Sequence, residues 1–422
     1  MSTTTLALII LAAILAQVAV VVVRILYRAR RDAVAPLQPP RADSRAGGAE
    51  VDTTPAPKGL GWEGYREFVV QRRVIEDGAQ SICSFYLVPS DSQPLPAYRP
   101  GQYLTFKLPV PDPESGEIKT VVRCYSLSDR PRPDYYRVSI KRIPAPADQP
   151  TAPPGLSSNY FHDHVREGSR LQIRAPAGHF YLTDSPLPIV LIGGGIGITP
   201  MLSIVNTLFE QRDPREVWLF YGVRDGTEPV MTDHLRALAA AHPNFHLHLC
   251  YSNPQGEEEA GMDYQHAGFI NVALLRATLK LARYQFYVCG PKPMMESLVP
   301  ALEEWGVDTG DIHYESFGPA TLVRPAKPDL TAQVQAGRAV AVTFRRTGKT
   351  LNWDAHADSL LEFAESNGIA VESGCRAGSC GCCQTELETG DVIYNQQPDA
   401  DIAAGHCLLC ISKPDGDITL AA

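Results

Sequence analysis

The hydrophobic positions of this chain change their spacing several times, and each spacing predicts a different structure. Residues 6–23 are apolar except for Gln17, and these eighteen residues are enough for a helix to span a bilayer core. No basic side chain precedes the run, whereas four arginines follow it within residues 24–31, so the positive-inside rule places the rest of the chain in the cytoplasm. No small-residue cleavage site clearly follows either, so we expect an uncleaved membrane anchor at residues 1–27 rather than a signal peptide.

Short and irregular apolar runs follow the anchor. Residues 28–60 are rich in Pro, Ala, Gly and Arg and contain few large apolar side chains, which predicts a flexible linker. From Trp62 onward, short strand-like runs such as residues 136–140 are separated by Pro and Gly. Short strands interrupted by turn residues predict an antiparallel β-barrel at residues 61–184.

The pattern changes again at Pro188. Residues 189–192 are continuously apolar, as expected of a buried parallel strand, and further strand-like runs then alternate with helical ones. This alternation predicts a doubly wound α/β domain at residues 185–324. A short proline-containing linker at residues 325–330 leads into a last domain at residues 331–422.

Four cysteines near the C-terminus carry the most specific chemistry in the sequence. Cys375, Cys380 and Cys383 have the C-x4-C-x2-C spacing of a [2Fe–2S] loop, and Cys410 follows as a fourth thiolate. Glycines between them allow the backbone to wrap closely around a cluster. Zinc and buried thiols are the alternatives, but zinc ribbons usually supply two C-x2-C knuckles, which this spacing lacks. Cys407 is a weaker candidate than Cys410 for the fourth ligand.

Composition sets limits on the partners and the compartment. The chain has 422 residues, of which 44% are apolar and 20% charged, so each predicted domain has enough apolar residues for a core. The net charge of −9 argues against a nucleic-acid partner. The six cysteines outside the cluster set show no disulfide pattern, which favours a reducing compartment, and Cys382 and Cys407 are predicted to be packing thiols. His246 and His248 alternate on a predicted strand, and we expect them to face solvent.

One motif at the end of a barrel strand contains residue types that hold a flavin nucleotide. In Arg123-Cys-Tyr125-Ser126, the arginine is suited to a pyrophosphate, the tyrosine to stacking on an isoalloxazine ring, and the serine hydroxyl to the N5 edge of that ring. Alone, this motif is more typical of an ordinary strand. Residues 155–162 follow it and include Ser158 near a predicted helix N-terminus, where phosphate oxygens are commonly held.

A second motif is suited to a dinucleotide. The glycine-rich loop at residues 193–200 follows a buried strand and opens a helix, which is the context that a dinucleotide loop needs. Pro200 suits the first turn of that helix. Cys289, followed by Gly and Pro, ends a later strand at the same sheet edge, where ligands bind in such folds. Two interpretations of Cys289 stay open: a buried small residue, or a side chain placed beside the nicotinamide.

Residues 62–319 resemble the reductase half of the flavohaemoglobins and, more broadly, the ferredoxin–NADP reductase superfamily. The matching strings are PGQY, R-x-YSLSD, YRVSIKR, SNYFH, PAGHF, GGGIGITPMLS, YVCGP and HYESFGP. The resemblance implies an FAD-binding barrel followed by a nicotinamide domain. The residues it implies for FAD are Tyr103, Arg123, Tyr125, Ser126, Lys141, Ser158, Phe317 and Gly318. Those it implies for the nicotinamide dinucleotide are Gly194, Gly195, Gly197, Thr199, Pro200, Cys289, Gly290 and Pro291. Those it implies for catalysis are Tyr125, Ser126, Cys289 and Glu315, with Glu315 tuning the flavin.

The chain departs from the flavohaemoglobins at both ends. The predicted membrane helix stands where a globin is found in that family, so haem chemistry is not expected. Cys124 also stands where flavohaemoglobins usually have another residue. Residues 331–422 instead resemble plant-type ferredoxin domains of the β-grasp fold. The order of reductase then ferredoxin resembles the reductase components of Rieske-type oxygenases, of phenylacetyl-CoA epoxidase and of the hybrid-cluster protein system.

These resemblances imply an oxidoreductase that moves electrons from a nicotinamide to a protein partner. A hydride passes to FAD, and single electrons then pass through the [2Fe–2S] cluster. NADH is the expected donor, with NADPH as the alternative, because Asp225 follows a strand of the α/β domain where an acidic group repels a 2′-phosphate. The alternatives are the NADH-oxidising subunit of a quinone-reducing respiratory complex, whose ferredoxin precedes its flavin domain, and a non-enzymatic redox sensor.

The charge of the last domain and the anchor predict the kind of partner. Residues 331–422 contain twelve Asp or Glu and six Lys or Arg, a net charge of −6, so we expect this domain to dock on a basic surface. An anchor with a flexible linker concentrates the domain near membrane acceptors, which favours a membrane-bound desaturase, hydroxylase or other oxygenase. The expected location is the inner (cytoplasmic) membrane of a bacterium, crossed once, with the N-terminus outside and the catalytic domains in the cytoplasm.

Overall fold

The structure, a computed structural model, describes residues 61–317 and 340–422. Within these ranges it leaves out residues 63, 113–115, 146–153, 355–356, 375, 377, 379, 396–397, 399 and 401. The predicted anchor and first linker at residues 1–60, the linker at 325–330, Gly318 and Cys375 therefore lie outside the described residues. In the part of the chain that is described, no helix has the length and the apolar character to cross a membrane. All described residues belong to one compact unit, residues 58–422.

An antiparallel six-stranded barrel comes first, in the order β4-β3-β6-β1-β2-β5. Its strands are β1 (Arg66–Ile75), β2 (Ile82–Pro89), β3 (Tyr103–Pro111), β4 (Ile118–Ser126), β5 (Tyr136–Lys141) and β6 (Arg170–Ala177). A bridge between Leu127 and Val138 links the two outer strands. Helix α1 (Leu156–His164) packs Phe161 against Phe85 and Phe106 in the barrel core, with ring centroids 5.2 and 5.3 Å away. The predicted barrel is thus confirmed.

A parallel six-stranded sheet follows, in the order β10-β9-β8-β7-β11-β12. Its strands are β7 (Ile189–Gly194), β8 (Val217–Val223), β9 (Phe245–Tyr251), β10 (His266–Ala267), β11 (Gln285–Gly290) and β12 (Ile312–Ser316). Its helices are α2 (Ile198–Glu210), α3 (Thr232–Ala241), α4 (Val272–Thr278) and α5 (Lys292–Glu304). Ile189 and Leu191 face one hydrophobic core, whereas Val190 and Ile192 face another on the opposite side of the sheet. Two cores on one parallel sheet confirm the doubly wound arrangement.

The structure corrects the expectation that His246 and His248 face solvent. The His246 ring stacks on Trp218 with centroids 4.0 Å apart, and the His248 ring stacks on Phe220 with centroids 4.8 Å apart. His248 Nδ1 also lies 3.0 Å from Nε2 of His266 on the neighbouring strand β10. Burial, together with the charges of the adjacent histidines, lowers the pKa of His248 to about 4. This face of β9 is therefore partly covered by aromatic rings and both histidines are half-buried, although the two-residue alternation is as expected.

The last domain contains a mixed five-stranded sheet in the order β14-β13-β17-β15-β16. Its strands are β13 (Ala341–Phe344), β14 (Lys349–Asn352), β15 (Gln384–Tyr394), β16 (His406–Leu408) and β17 (Ser412–Leu420), and its helix is α6 (Leu360–Ser366). Ser359 caps α6 by accepting a hydrogen bond from the backbone N–H of Glu362. Phe363 of α6 stacks on Phe344 of the sheet, and the same core includes Cys383 and Cys410. The sheet and helix fit the predicted ferredoxin domain.

Candidate active site and cluster centre

Tyr125 lies near the end of β4 with its ring turned toward α1. The ring packs edge-on against Phe106 and Phe161, with centroids 5.7 and 5.2 Å away. Its hydroxyl donates a hydrogen bond to Ser157 Oγ at 3.1 Å. Burial raises the pKa of Tyr125 to about 12, so the phenol stays protonated at neutral pH. The result is a fixed, uncharged ring, which suits the predicted stacking on a flavin.

Arg123 and the N-terminus of α1 have the properties that a pyrophosphate needs. Among the described residues, no side chain caps the first turn of α1, whose N-cap is Gly155, so backbone N–H groups of this turn are available to an anion. Ser158 Oγ donates to the Gly155 carbonyl at 3.1 Å and stabilises the same turn. Burial lowers the pKa of Arg123, and the positive charge of Arg376 lowers it further. The first turn of α1 therefore fits the phosphates of FAD, and the contact of Arg123 with them stays a prediction.

Tyr103 is buried at the start of β3, where sequence comparison alone suggested direct contact with FAD. Only 4% of Tyr103 is exposed. Its ring lies against Gly178, where an added Cβ atom would be 2.7 Å from Cε1 of the tyrosine and where φ is +108°. The structure gives Tyr103 a packing role in the barrel, and its contact with FAD stays a prediction.

Three of the four predicted catalytic residues meet where the barrel contacts the α/β domain. Ser126 Oγ donates a hydrogen bond to Glu315 Oε2 at 3.3 Å, which joins the end of β4 to β12. Glu315 is in register with Cys289 on the adjacent strand β11, and Cys289 is fully buried. Burial raises the pKa of Cys289 well above its usual range, and the charge of Glu315 adds to this effect. A hydroxyl, a carboxylate and a protonated thiol therefore converge at this sheet edge.

The glycine loop after β7 lies directly against the end of β11. An added Cβ atom at Gly197 would be 2.2 Å from the carbonyl oxygen of Cys289, so no larger residue fits without displacing the strand. Gly195 has a φ of +53°, which favours glycine. Among the described residues, no side chain caps α2, and Thr199 Oγ1 donates to the Ile196 carbonyl at 2.9 Å. The loop therefore presents backbone N–H groups to a pyrophosphate.

The remaining predicted dinucleotide residues pack around the same glycine loop. An added Cβ atom at Gly194 would lie 2.7 Å from Met294 Sδ and 2.8 Å from Pro291 Cδ. At Gly290 it would lie 2.4 Å from Met294 Cε. Pro200 is buried in the first turn of α2. The packing of Met294 and Pro291 therefore requires glycine at both positions, and the contacts of these residues with the nicotinamide dinucleotide stay predictions.

Carboxylates surround the loop after β8, at the edge where the adenosine ribose of a dinucleotide binds in such folds. Asp225 accepts hydrogen bonds from the N–H and the hydroxyl of Thr227 at 3.0 and 2.6 Å, and these bonds lower the pKa of Asp225. Glu258 accepts a hydrogen bond from the Gly226 N–H at 2.6 Å. Sequence reasoning missed Glu258, although the acidic run at residues 257–259 was a possible signal.

Lys141 and Phe317 connect the barrel with the α/β domain. Lys141 Nζ lies 3.4 Å from Glu228 Oε1, and Glu228 is also 3.5 Å from the guanidinium of Arg224. Phe317 packs against the core beside α2. The ion pair gives Lys141 a structural partner, and the predicted contacts of both residues with FAD stay predictions.

The described cluster ligands converge in the last domain. A hydrogen bond from the Cys410 thiol lowers the pKa of Cys383, which also experiences the charge of Cys380. An added Cβ atom at Gly374 would lie 2.8 Å from Cys380 Sγ, and Gly378 has a φ of +75°. The backbone at Gly374 therefore lies close to the Cys380 sulfur, which fits a loop that holds a [2Fe–2S] cluster.

Two further cysteines differ from each other in their surroundings. Cys407 is fully buried in the domain core, and burial raises its pKa to about 12. Cys410 is also buried, but its thiol is hydrogen-bonded to Cys383, which favours it as the fourth ligand. Cys382 is only half-buried. Its sulfur lies beside Gly374 on the loop, whereas the sulfur of a packing thiol would lie in the core. The described side chains contain no group of three or more His, Cys, Asp or Glu arranged around a single metal ion. A binuclear cluster divides its thiolates between two irons, and the predicted ligand Cys375 is not described.

The loop that carries the first three predicted cluster ligands, residues 374–383 (the cluster loop), makes a contact with the barrel that was not predicted. Arg174 on β6 donates a hydrogen bond from Nη1 to the Cys380 carbonyl at 3.1 Å. An added Cβ atom at Gly374 would also lie 3.2 Å from Cγ1 of Val122 on β4. Val122 is adjacent to Arg123, whose side chain points to the opposite face of the strand. No motif signals this contact, because it joins segments 206 residues apart.

Comparison with known proteins agrees with this geometry. Residues 191–299 match the oxidoreductase NAD-binding domain family, and residues 342–415 match the 2Fe-2S iron-sulfur cluster binding domain family. The flavohem-like FAD/NAD binding domain of nitric oxide dioxygenase from Vibrio cholerae is 32% identical, with a TM-score of 0.52, and the match covers 61% of this chain and 100% of that domain. The chain belongs to the flavohaem-like FAD/NAD-binding reductase family.

Two further relatives define how far the likeness of this reductase extends. A flavohemoprotein of Halalkalibacterium halodurans is 41% identical over 261 residues, which cover 62% of the reductase and only 61% of the relative. Phthalate dioxygenase reductase, described as a modular structure for electron transfer from pyridine nucleotides to [2Fe-2S], is 23% identical with a TM-score of 0.50. That match covers 85% of the reductase and 98% of the other chain and shows a shared fold. The reductase is therefore an electron-transfer oxidoreductase with FAD, NAD(H) and [2Fe–2S] domains.

Proposed function

We propose that this chain is a membrane-anchored NADH-dependent reductase that supplies single electrons to an oxygenase. One observation carries the proposal. Ser126, Glu315 and Cys289 lie together in a compact unit, and in the same unit the cluster loop contacts β4. When bound, FAD accepts a hydride from the nicotinamide, and its electrons leave singly through the [2Fe–2S] cluster.

Each residue of the site has a role that its surroundings support. Tyr125, held between Phe106 and Phe161, orients the flavin ring. Ser126 presents its hydroxyl at the ring edge and is held by Glu315. Cys289 would lie beside the nicotinamide as a buried neutral thiol, which would keep water away from the point of hydride transfer.

Two carboxylates support NADH as the donor. Asp225 and Glu258 lie on either side of Gly226, in the loop after β8. The hydrogen bonds from Thr227 keep Asp225 ionised at neutral pH. A 2′-phosphate placed here would be repelled by both charges, whereas the 2′-hydroxyl of NADH would find hydrogen-bond acceptors.

The identity of the partner is proposed from charge and from the apolar N-terminal run. The cluster domain has a net charge of −6, which favours a basic docking surface on the partner. The shared fold with a dioxygenase reductase favours an oxygenase as acceptor. With the run at residues 6–23 as anchor in the inner membrane of a bacterium, a membrane-bound desaturase or hydroxylase is the proposed client.

The test uses the full-length protein purified from detergent-solubilised membranes. We expect reduction of cytochrome c by NADH, faster than by NADPH, and a rhombic EPR signal after dithionite reduction. Deletion of residues 2–27 is expected to leave cytochrome c reduction intact and to slow turnover of a membrane-bound oxygenase. Absence of both the EPR signal and flavin absorbance would contradict the reductase assignment. NADH oxidation in purified membranes that depends on quinone would instead favour the respiratory alternative.

A further inference from the structure

The barrel and the cluster loop meet at a contact that includes Arg174. This residue lies on β6, in register with Thr105 of β3, which is itself in register with Cys124 of β4. Side chains at paired positions of an antiparallel sheet point to the same face. Arg174, Thr105 and Cys124 therefore form a row across three strands on the face that the cluster loop contacts. Thr105 Oγ1 and Cys124 Sγ are 3.3 Å apart in this row.

The guanidinium of Arg174 is held in place from two sides. Its Nη1 donates to the Cys380 carbonyl at 3.1 Å, and its Cζ lies 4.8 Å from the centre of the Tyr65 ring. Lys107 Nζ lies 5.6 Å from the centre of the same ring. A cation over an aromatic face is stabilised by the negative potential of the ring. The positive side chains of Arg174 and Lys107 thus both lie over the Tyr65 ring, beside the cluster loop.

One nitrogen of Arg174 has no hydrogen-bond partner among the described residues. Its Nε is buried, and no hydrogen-bond partner for it exists within the described part of the chain. Burying a polar group in this way costs free energy, so the position of the arginine needs an explanation other than the stability of the barrel. The hydrogen bond from Nη1 to the Cys380 carbonyl offers one, because it joins the barrel to the cluster loop.

We propose that Arg174 is a positioning residue for electron transfer within this chain: it holds the Cys380 segment of the cluster loop against the flavin barrel, and its charge raises the reduction potential of the cluster. The proposal rests on the proposed function. In the step concerned, the reduced flavin loses one electron and one ferric iron of the cluster gains it. The cluster becomes more negative by one charge on reduction, and a neighbouring cation stabilises that extra charge.

The experiment compares three variants of the full-length protein in detergent. Arg174→Gln removes the charge and keeps a hydrogen-bond donor, whereas Arg174→Lys keeps the charge on a different donor. Arg170→Gln is the matched control, because Arg170 lies on the same strand but is 66% exposed and pairs with Glu67 away from the loop. The readouts are the cluster midpoint potential from an EPR-monitored titration with chemical reductants, and the NADH-dependent reduction of ferricyanide and of cytochrome c.

We expect the cluster of Arg174→Gln to have a more negative midpoint potential. Its rate of cytochrome c reduction should be about tenfold lower, as loss of a charge-assisted hydrogen bond would give. Its ferricyanide reduction should not change. Arg174→Lys should recover most of the potential, and Arg170→Gln should match the wild type. A wild-type potential and cytochrome c rate in Arg174→Gln would overturn the proposal. If Arg174→Gln loses the cluster while Arg174→Lys keeps the wild-type potential, the result would support the charge effect. Loss of the cluster in both variants would overturn the proposal.

The potential can be measured without NADH, so its outcome is separate from that of the proposed function. A wild-type protein that fails to reduce cytochrome c with NADH would contradict the proposed function. The shift in potential between the wild type and Arg174→Gln would still decide whether the arginine acts on the cluster.

Discussion

Replacing Gly197 by alanine tests how the nucleotide loop is built. An added Cβ atom would lie 2.2 Å from the carbonyl oxygen of Cys289, 2.6 Å from its carbonyl carbon and 2.8 Å from the nitrogen of Gly290. All three are backbone atoms of β11, which is paired on both sides with β7 and β12, so no side-chain rotation relieves the contact. Gly197 has a φ of −63°, which alanine adopts without strain, so the close contact alone is tested.

The expected cost follows from overpacking. Forcing a methyl group into a tightly packed site destabilises by about 1–3 kcal/mol, so the urea midpoint of the α/β domain should fall. The loop and the start of α2 should also move away from β11, and we expect the KM for NADH in ferricyanide reduction to rise about tenfold, equivalent to about 1.4 kcal/mol. Flavin and cluster absorbance should not change, because neither predicted site includes Gly197.

Gly78→Ala is the control for this experiment. An added Cβ atom there would have its nearest neighbour, the Thr227 carbonyl oxygen, at 3.8 Å, which is ordinary contact. We expect its effect on stability to stay within about 0.5 kcal/mol. A Gly197→Ala protein with the same urea midpoint and the same KM for NADH as Gly78→Ala would refute the loop geometry.

Three further substitutions test the cluster, the donor and the histidine stack. Cys383→Ser should abolish the EPR signal and cytochrome c reduction but keep NADH-dependent ferricyanide reduction. The control Cys407→Ser should keep all three. A normal EPR signal in Cys383→Ser would exclude Cys383 as a ligand. Asp225→Asn should raise kcat/KM for NADPH about fivefold, because one like charge near the 2′-phosphate is worth about 1 kcal/mol, and an unchanged NADH/NADPH ratio would contradict the assignment. Folding lowers the pKa of His248 from 6.5 to about 4, so the unfolded chain binds the proton more tightly and stability should fall as the pH decreases from 6.5 toward 4. After allowance for solvent screening, His248→Phe should remove about 1–2 kcal/mol of that fall in urea unfolding, and the exposed control His164→Phe should not.

The parts of this protein that sequence predicts well are those whose chemistry is local. A [2Fe–2S] loop places its ligands within a few residues, so the spacing of Cys380 and Cys383 is visible in the sequence. The glycine loop is equally local, since Gly195 and Gly197 are required by the backbone of one turn and its contact with β11. The apolar run that becomes β7 is a direct consequence of burial on both faces.

The parts that sequence does not predict depend on contacts between distant segments. Arg174 reaches the Cys380 carbonyl only after the barrel and the last domain have folded. Glu258 meets Gly226 through the loop that follows β9, and no motif records that encounter. His248 has the alternation of a solvent-facing residue, yet neighbouring rings cover it, because alternation fixes the face of a strand and not what packs on that face.

Strand β4 contacts different segments on its two faces: Tyr125 points toward α1, and Val122 points toward the cluster loop. A one-residue insertion upstream in this strand would exchange the two sets of side chains, because every residue beyond it would point to the other side. Such an insertion would impair flavin seating and domain docking together, although neither binding residue had been replaced. Flavin binding and domain docking therefore both depend on the register of this strand, although a residue-by-residue mutational scan would record them as unrelated.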